Sequence, residues 1–279
     1  KERERGLLEK IAIRKRPGTV GICAAIMNKY QVDAVPHLIC GGFNKEETEN
    51  ALIDLQFLGI DNVLALRGDS IKTESNFRPH QDGHSYAVDL IHQIKGMNEG
   101  NYIMDDVQLA PTDFCIGAAG YPEKHFEAMN LATDLQYLKQ KVEAGAEYLV
   151  TQMFFDNKKY FDFVKACREV GINVPIIPGI KPLTTLKQIK FIPKTFFIDF
   201  PEKLTDQLLD CKTNEEVKRV GIQWCIDQCK ELIENKVPVL HFYTMGKSTA
   251  TKEVADAIFG KKKFNGSRNS VRTAPSISQ

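Results

Sequence analysis

Residues 62–70 read NVLALRGDS, and the reading of this stretch decides the fold. Val63, Leu64, Ala65 and Leu66 suit a strand buried on both faces, yet an arginine, a glycine, an aspartate and a serine follow at once. Arg67-Gly68-Asp69-Ser70 on an exposed loop would be a short adhesion motif. Alternatively, the run is a barrel strand, and its polar end is the place where such folds put reactive groups. The neighbouring sequence favours the second reading.

Outward from this stretch, short apolar runs alternate with longer amphipathic ones. Strands are expected at 33–40, 62–68, 114–120, 147–155, 174–180 and 238–244. Helices are expected at 44–59 (Asn44 capping, Gly59 stopping), 85–97, 133–144, 157–170, within 184–235, and at 248–259. Strands alternating with helices imply a parallel sheet covered by helices. No Gly-x-Gly-x-x-Gly follows any strand, so a doubly wound nucleotide fold is disfavoured. Polar groups recur at strand ends: His37, Arg67-Gly68-Asp69, Gly120-Tyr121, Gln152 and Tyr243. That layout is expected of an α/β chain forming a (β/α)8 TIM barrel, with its site at the C-terminal ends of the strands. Residues 18–31, GTVGICAAIMNKYQ, read as strand or helix, with helix favoured and Thr19 as its cap. The barrel is thus two strands short, which would leave unpaired edges. The expected division is a barrel over 1–260, incomplete at its N-terminal side, and a polar, disordered tail over 261–279.

Lys and Arg number 37 against 36 Asp and Glu, so no basic field points to nucleic acid or an anionic membrane. The seven cysteines form no Cys-x-x-Cys, and several sit in apolar runs, as buried thiols of a reducing compartment do. Cys225 and Cys229 share a helix face and read as packing. His80 and His84 have ligand-like spacing without a matching pair, so no metal is expected. Residues 1–16 are strongly charged and lack the apolar core of a signal peptide, and no run approaches a membrane span. A cytoplasmic location is expected, which leaves the adhesion motif a coincidence.

Singly, the polar residues say little. A histidine in an apolar run, such as His37, is usually a satisfied core residue. Gln152 is less ordinary, because an amide among Val150, Thr151 and Met153 needs partners for its donors and acceptor. Taken together, PHLICGG (36–42), LALRGD (64–69), YPEKH (121–125), LKQKVEAGAEYLVTQMFFD (138–156), VPIIPGIKP (174–182) and HFYTM (241–245) resemble the methylenetetrahydrofolate reductase family in order and spacing. The similarity spans residues 10 to 260 or so and looks like the single-domain bacterial form.

The resemblance implies an eight-stranded barrel that binds FAD and uses NADH or NADPH to reduce 5,10-methylenetetrahydrofolate to 5-methyltetrahydrofolate. It implies that His37, Leu66, Arg67, Gly68 and Asp69 line the flavin, with Tyr86, Ala87, Tyr121, His125 and Ala128 beside them. Asp134 and Lys141 would hold the ribityl, phosphate and adenosine portion, the lysine being a sensible phosphate partner. Tyr137 and Gln140 stand where relatives can have asparagine and arginine. Gln152, Gln188 and Lys247 match folate-contacting positions, and Asp69 would also serve the folate. Asp69 and Gln152 are the expected catalytic residues. The carboxylate near the flavin's pyrimidine edge would disfavour the anionic reduced form, and the amide would serve nicotinamide and folate in turn, in ping-pong order. A homo-oligomer is expected.

One departure stands out. The family's proton-donating glutamate, in a Phe-Glu-x-x-Pro-Pro-like motif on the first strand, has no counterpart here, and Lys1 aligns beyond the second strand. Two other readings follow: another FAD barrel oxidoreductase resembling proline dehydrogenase, or a non-catalytic remnant that binds flavin or folate.

Overall fold

A computed structural model describes residues 18–41, 43–68, 77, 79–103 and 109–260. Helix α1 (Thr19–Tyr30) leads to β1 (His37–Ile39), α2 (Lys45–Phe57), β2 (Asn62–Leu66), α3 (Ala87–Asn98), β3 (Cys115–Gly120) and α4 (Leu131–Glu143). Then come β4 (Tyr148–Met153), α5 (Asn157–Glu169) and β5 (Ile176–Ile180). Three helices follow, α6 (Leu186–Phe196), α7 (Glu202–Leu209) and α8 (Asn214–Glu234), before β6 (His241–Phe242) and α9 (Thr249–Phe259).

Local chemistry accounts for the boundaries. Asn44 caps α2 in a reciprocal box: its Oδ1 accepts from Glu47 N at 2.7 Å, and Glu47 Oε2 accepts from Asn44 N at 2.9 Å. Helix α4 begins at Leu131 rather than Thr133, because Asn130 Oδ1 accepts the Thr133 amide at 2.9 Å. Residues 18–31 are helical as favoured, but Thr19 is the first helical residue and not the cap; Gly18 holds that place without a side-chain bond. The outer strands are shorter than expected. Pro36, which has no N–H to give a ladder, sits just before β1, and Pro238 lies three residues before β6. The 184–235 segment breaks into three, with Phe197 in the left-handed region and Pro201 at the start of α7.

The strands pair in chain order, β1 to β6, and every pair is parallel. An order that never reverses excludes a doubly wound sheet and curls the strands into a barrel wall. One cavity of about 350 Å³ takes lining residues from every strand: His37, Asn62, Cys115, Tyr148, Ile177 and His241. Among the described residues β6 and β1 do not pair, so the expected eight-stranded barrel is here a six-stranded curled sheet.

The outer face of this sheet is the core. Leu38, Val63, Ala65, Ile116, Ala118, Leu149 and Ile176 are almost wholly buried beneath apolar residues of the helices. Cys225 and Cys229 lie in this cluster, as packing rather than as ligands. The inner face is built differently. Tyr148 reaches across β3 to donate to Val63 O on β2 at 3.0 Å, and a Cβ at Gly117 would come within 2.2 Å of its ring. Tyr243, just after β6, crosses β5 in the same way to donate to Thr151 O at 2.9 Å; a Cβ at Gly179 would meet Thr151 O at 2.3 Å. Each glycine leaves room for a tyrosine that ties together two strands not directly paired. Among the described residues no helix is long and apolar enough to cross a membrane.

Candidate active site

The opening stretch ends where barrel logic expects chemistry. Arg67 follows the last residue of β2, and its guanidinium grips Glu127 with two bonds of 2.6 and 2.9 Å. The same cation lies over the Phe77 ring, 5.3 Å from its centre. Gly68 then turns the chain with φ +91°, a conformation that explains the glycine without reference to any ligand. Asp69 lies outside the described residues, as does the 261–279 segment expected to be a tail.

Glu127 belongs to the loop 121–130 after β3, which several contacts hold in shape. Lys124, itself at φ +74°, donates to His125 O at 2.9 Å and Ala128 O at 2.7 Å. Glu123 is nearly buried; it accepts from Lys159 on α5 and from Asp199 N at 3.0 Å, which fastens the loop to two neighbouring units. Burial nevertheless pushes its carboxyl pKa up. Within the loop the Tyr121 and His125 rings meet edge to face, 4.6 Å apart.

His125 is held by two hydrogen bonds. Its backbone N–H donates to Asp134 Oδ2 on α4 at 2.8 Å, while its Nδ1 accepts from Glu127 N at 3.2 Å. A neutral ring with that acceptor carries its proton on Nε2. Burial lowers the imidazole pKa, which favours the neutral form near pH 7. Lys141, on α4 two turns beyond Asp134, donates to Ala119 O at 3.1 Å. Burial is the main cause lowering its pKa; Asp134 opposes this and Arg67 adds to it.

Six expected residues therefore converge on the β2–β3–α4 side: Arg67, Tyr86, Tyr121, His125, Asp134 and Lys141. Tyr86 and Tyr121 both act electrostatically on Arg67. Leu66 ends β2, Ala87 begins α3, and Ala128 closes the loop. His37 sits deeper than expected. Its register partner is Leu64, which pairs with Gly117, which pairs with Tyr148, one layer below Leu66.

The folate-side residues form no comparable cluster. Gln152 lies half-buried on β4 beside a bulge, its Oε1 accepting from the next amide at 2.9 Å. Gln188 is a capping residue: its Oε1 accepts from Thr184 N at 2.7 Å and Thr185 N at 3.1 Å at the start of α6. Lys247 is exposed on the turn after β6. Sequence reasoning missed Glu127 and Phe77, the two partners of Arg67. An acid two residues beyond His125 was the available signal.

Comparison with known proteins adds the following. A family model described as methylenetetrahydrofolate reductase matches residues 11–258. A Caenorhabditis elegans protein named probable methylenetetrahydrofolate reductase (NADPH) is 35% identical over 260 residues, 92% of this chain and 36% of that one. The 5,10-methylenetetrahydrofolate reductase of Pectobacterium carotovorum is 31% identical over 237 residues, 84% of this chain and 72% of that one. The chain thus spans little more than a third of the length of the worm relative and most of the bacterial one. A Clostridium thermocellum structure, described as binding two copies of 5-methyl-5,6,7,8-tetrahydrofolic acid, superposes with TM-score 0.41 at 15% identity. It covers 84% of this chain and 97% of that one, a likeness too slight to bear on function.

Proposed function

The chain belongs to the methylenetetrahydrofolate reductase family, and on that premise we propose that it binds FAD and reduces 5,10-methylenetetrahydrofolate to 5-methyltetrahydrofolate with NADH or NADPH. The observation that carries the reading is the convergence of Arg67, Tyr121, His125 and Lys141 at the C-terminal edge of β2 and β3. Two cations, a neutral imidazole and a phenol ring suit a ligand that is part aromatic and part phosphate.

When bound, FAD would supply the two-electron carrier, so that nicotinamide and folate can react in turn at one site. The chain's own residues have separable tasks. Lys141 has one N–H committed to Ala119 O and can turn the others to phosphate oxygens. Arg67 is held in place by Glu127 and is a second phosphate or ring partner. His125 offers its Nε2–H as a donor from a fixed loop. Gln152, with its amide N–H groups free to donate, is assigned to both nicotinamide and folate, with Gln188 and Lys247 on the folate side. Asp69 is assigned the electrostatic role beside the flavin ring, with no structural account. The protein is taken to be cytoplasmic and homo-oligomeric.

The test is direct. The purified chain is supplemented with FAD, desalted and denatured, and the supernatant is chromatographed. FAD should appear in about one equivalent; FMN alone, or no flavin, would refute the assignment. Steady-state oxidation of NADH or NADPH with methylenetetrahydrofolate should give parallel lines, whereas intersecting lines would exclude the ping-pong order.

A further inference from the structure

Lys181 follows the last residue of β5, and strand alternation puts it on the inner face with Ile177 and Gly179, at the C-terminal end. It is nine-tenths buried, with only 7% of its surface exposed. Its Nζ donates to one group, the Tyr243 carbonyl beyond β6, at 3.1 Å. No carboxylate pairs with it among the described residues, and burial is the one influence that shifts its ionisation, downward. An ammonium has three N–H donors, and here one is answered.

A buried cation without a counter-charge is expensive to keep, and a lysine stem elsewhere on this surface could reach water at little penalty. The Tyr243 carbonyl alone does not explain the charge, since the phenol of the same residue already anchors it to Thr151 O. Gln152 lies within the bulge near the end of the neighbouring β4, so Lys181 shares with it the C-terminal edge of the sheet.

We infer that Lys181 is a binding residue for an anionic oxygen of a substrate, supplied by the pyrophosphate of the nicotinamide dinucleotide or by the glutamyl carboxylate of the folate. The inference rests on the reductase reading and extends it to a residue that reading does not use. The two remaining N–H groups and the positive charge would then be satisfied on binding, and the destabilising burial would be retained for that purpose.

The experiment compares the FAD-loaded full chain with Lys181→Met and Lys181→Arg. Isothermal titration measures affinity for NADH, NADPH, 5-methyltetrahydrofolate and its pteroate counterpart, which lacks the glutamyl group. Thermal unfolding is measured alongside. Lys181→Met should weaken either the dinucleotides or the glutamylated folate by on the order of 10- to 100-fold, as expected for a charged hydrogen bond. Its unfolding temperature should be unchanged or higher, because an unpaired buried charge is gone, and Lys181→Arg should recover most of the affinity. The ligand that weakens identifies the source of the anion. Wild-type affinity for all ligands in Lys181→Met would overturn the inference. So would equal weakening of folate and pteroate, which indicates a ring contact, or a fall in unfolding temperature with uniform weakening, which indicates packing. If the wild-type chain itself binds neither substrate, the reductase reading fails first and this inference with it.

Discussion

The two faces of the same six strands follow opposite rules. Outward, Val63, Ile116 and Leu149 have essentially no exposed surface and belong to one apolar cluster with residues of the helices. Inward, the strands present His37, Asn62, Tyr148 and His241, with glycines wherever a tyrosine must lie across the sheet. Alternation along a strand makes this division possible, since successive side chains leave the sheet on opposite sides. The outer face supplies hydrophobic stabilisation. The inner face holds groups that fold poorly on their own account: histidines whose pKa is lowered by burial, and a tyrosine phenol pushed up to about 12. The outer face thus carries the core, and the polar groups of the strands face the other way.

The largest expected effect comes from breaking the outer face. Leu149→Ala should cost about 2–5 kcal/mol, through lost burial and the cavity left behind. Urea unfolding reads that loss, while FAD affinity of the folded fraction should stay at the wild-type value. A variant of full stability would mean that the outer face is not the dominant core.

A smaller effect should come from filling the inner face. Gly117→Ala places a methyl against the Tyr148 ring and should cost about 1–3 kcal/mol. The same change in a Tyr148→Ala background should cost much less, because the Tyr148 ring is what the added methyl would meet. If the two costs are equal, the glycine does not make room for the ring.

These contrasts show what sequence could and could not convey. The repeating units were legible because strands buried outward by helices read as apolar runs, and Asn44 with Glu47 spells out its cap. Arg67, Tyr121, His125 and Lys141 were assigned through resemblance, and their convergence was legible only as polar residues at strand ends. The Arg67–Glu127 pair was not legible, since 60 residues separate its members and no local pattern joins them. Gln188 also has a local role that its spacing from Thr185 spells out, that of a capping box, which engages its carbonyl. Pro36 bounds β1 through its missing donor, a signal present in the sequence.

The smallest effect concerns the Arg67–Glu127 pair. Glu127 is half-exposed, so solvent screens the pair and Glu127→Gln should cost about 0–1 kcal/mol at neutral pH. The sign with pH is fixed. The bond to Arg67 holds the Glu127 carboxyl below its ordinary value, so its contribution is full above the unfolded pKa of about 4.3 and is lost as pH falls through the lower folded value. The stability gap between wild type and variant should therefore close on acidification. A gap that widens at low pH would contradict the assignment.

The most direct test of the C-terminal edge of β2 and β3 as the ligand-binding side is FAD titration of Lys141→Met against wild type, followed by fluorescence quenching. Lys141 is half-buried, bonded to Ala119 O, and electrostatically coupled to both Asp134 and Arg67, so it stands at the centre of the site. Methionine keeps most of its bulk and removes its charge. The predicted result is FAD binding weaker by on the order of 10- to 100-fold, with an unfolding temperature no lower than that of the wild type. Equal FAD affinity in the two proteins would contradict it.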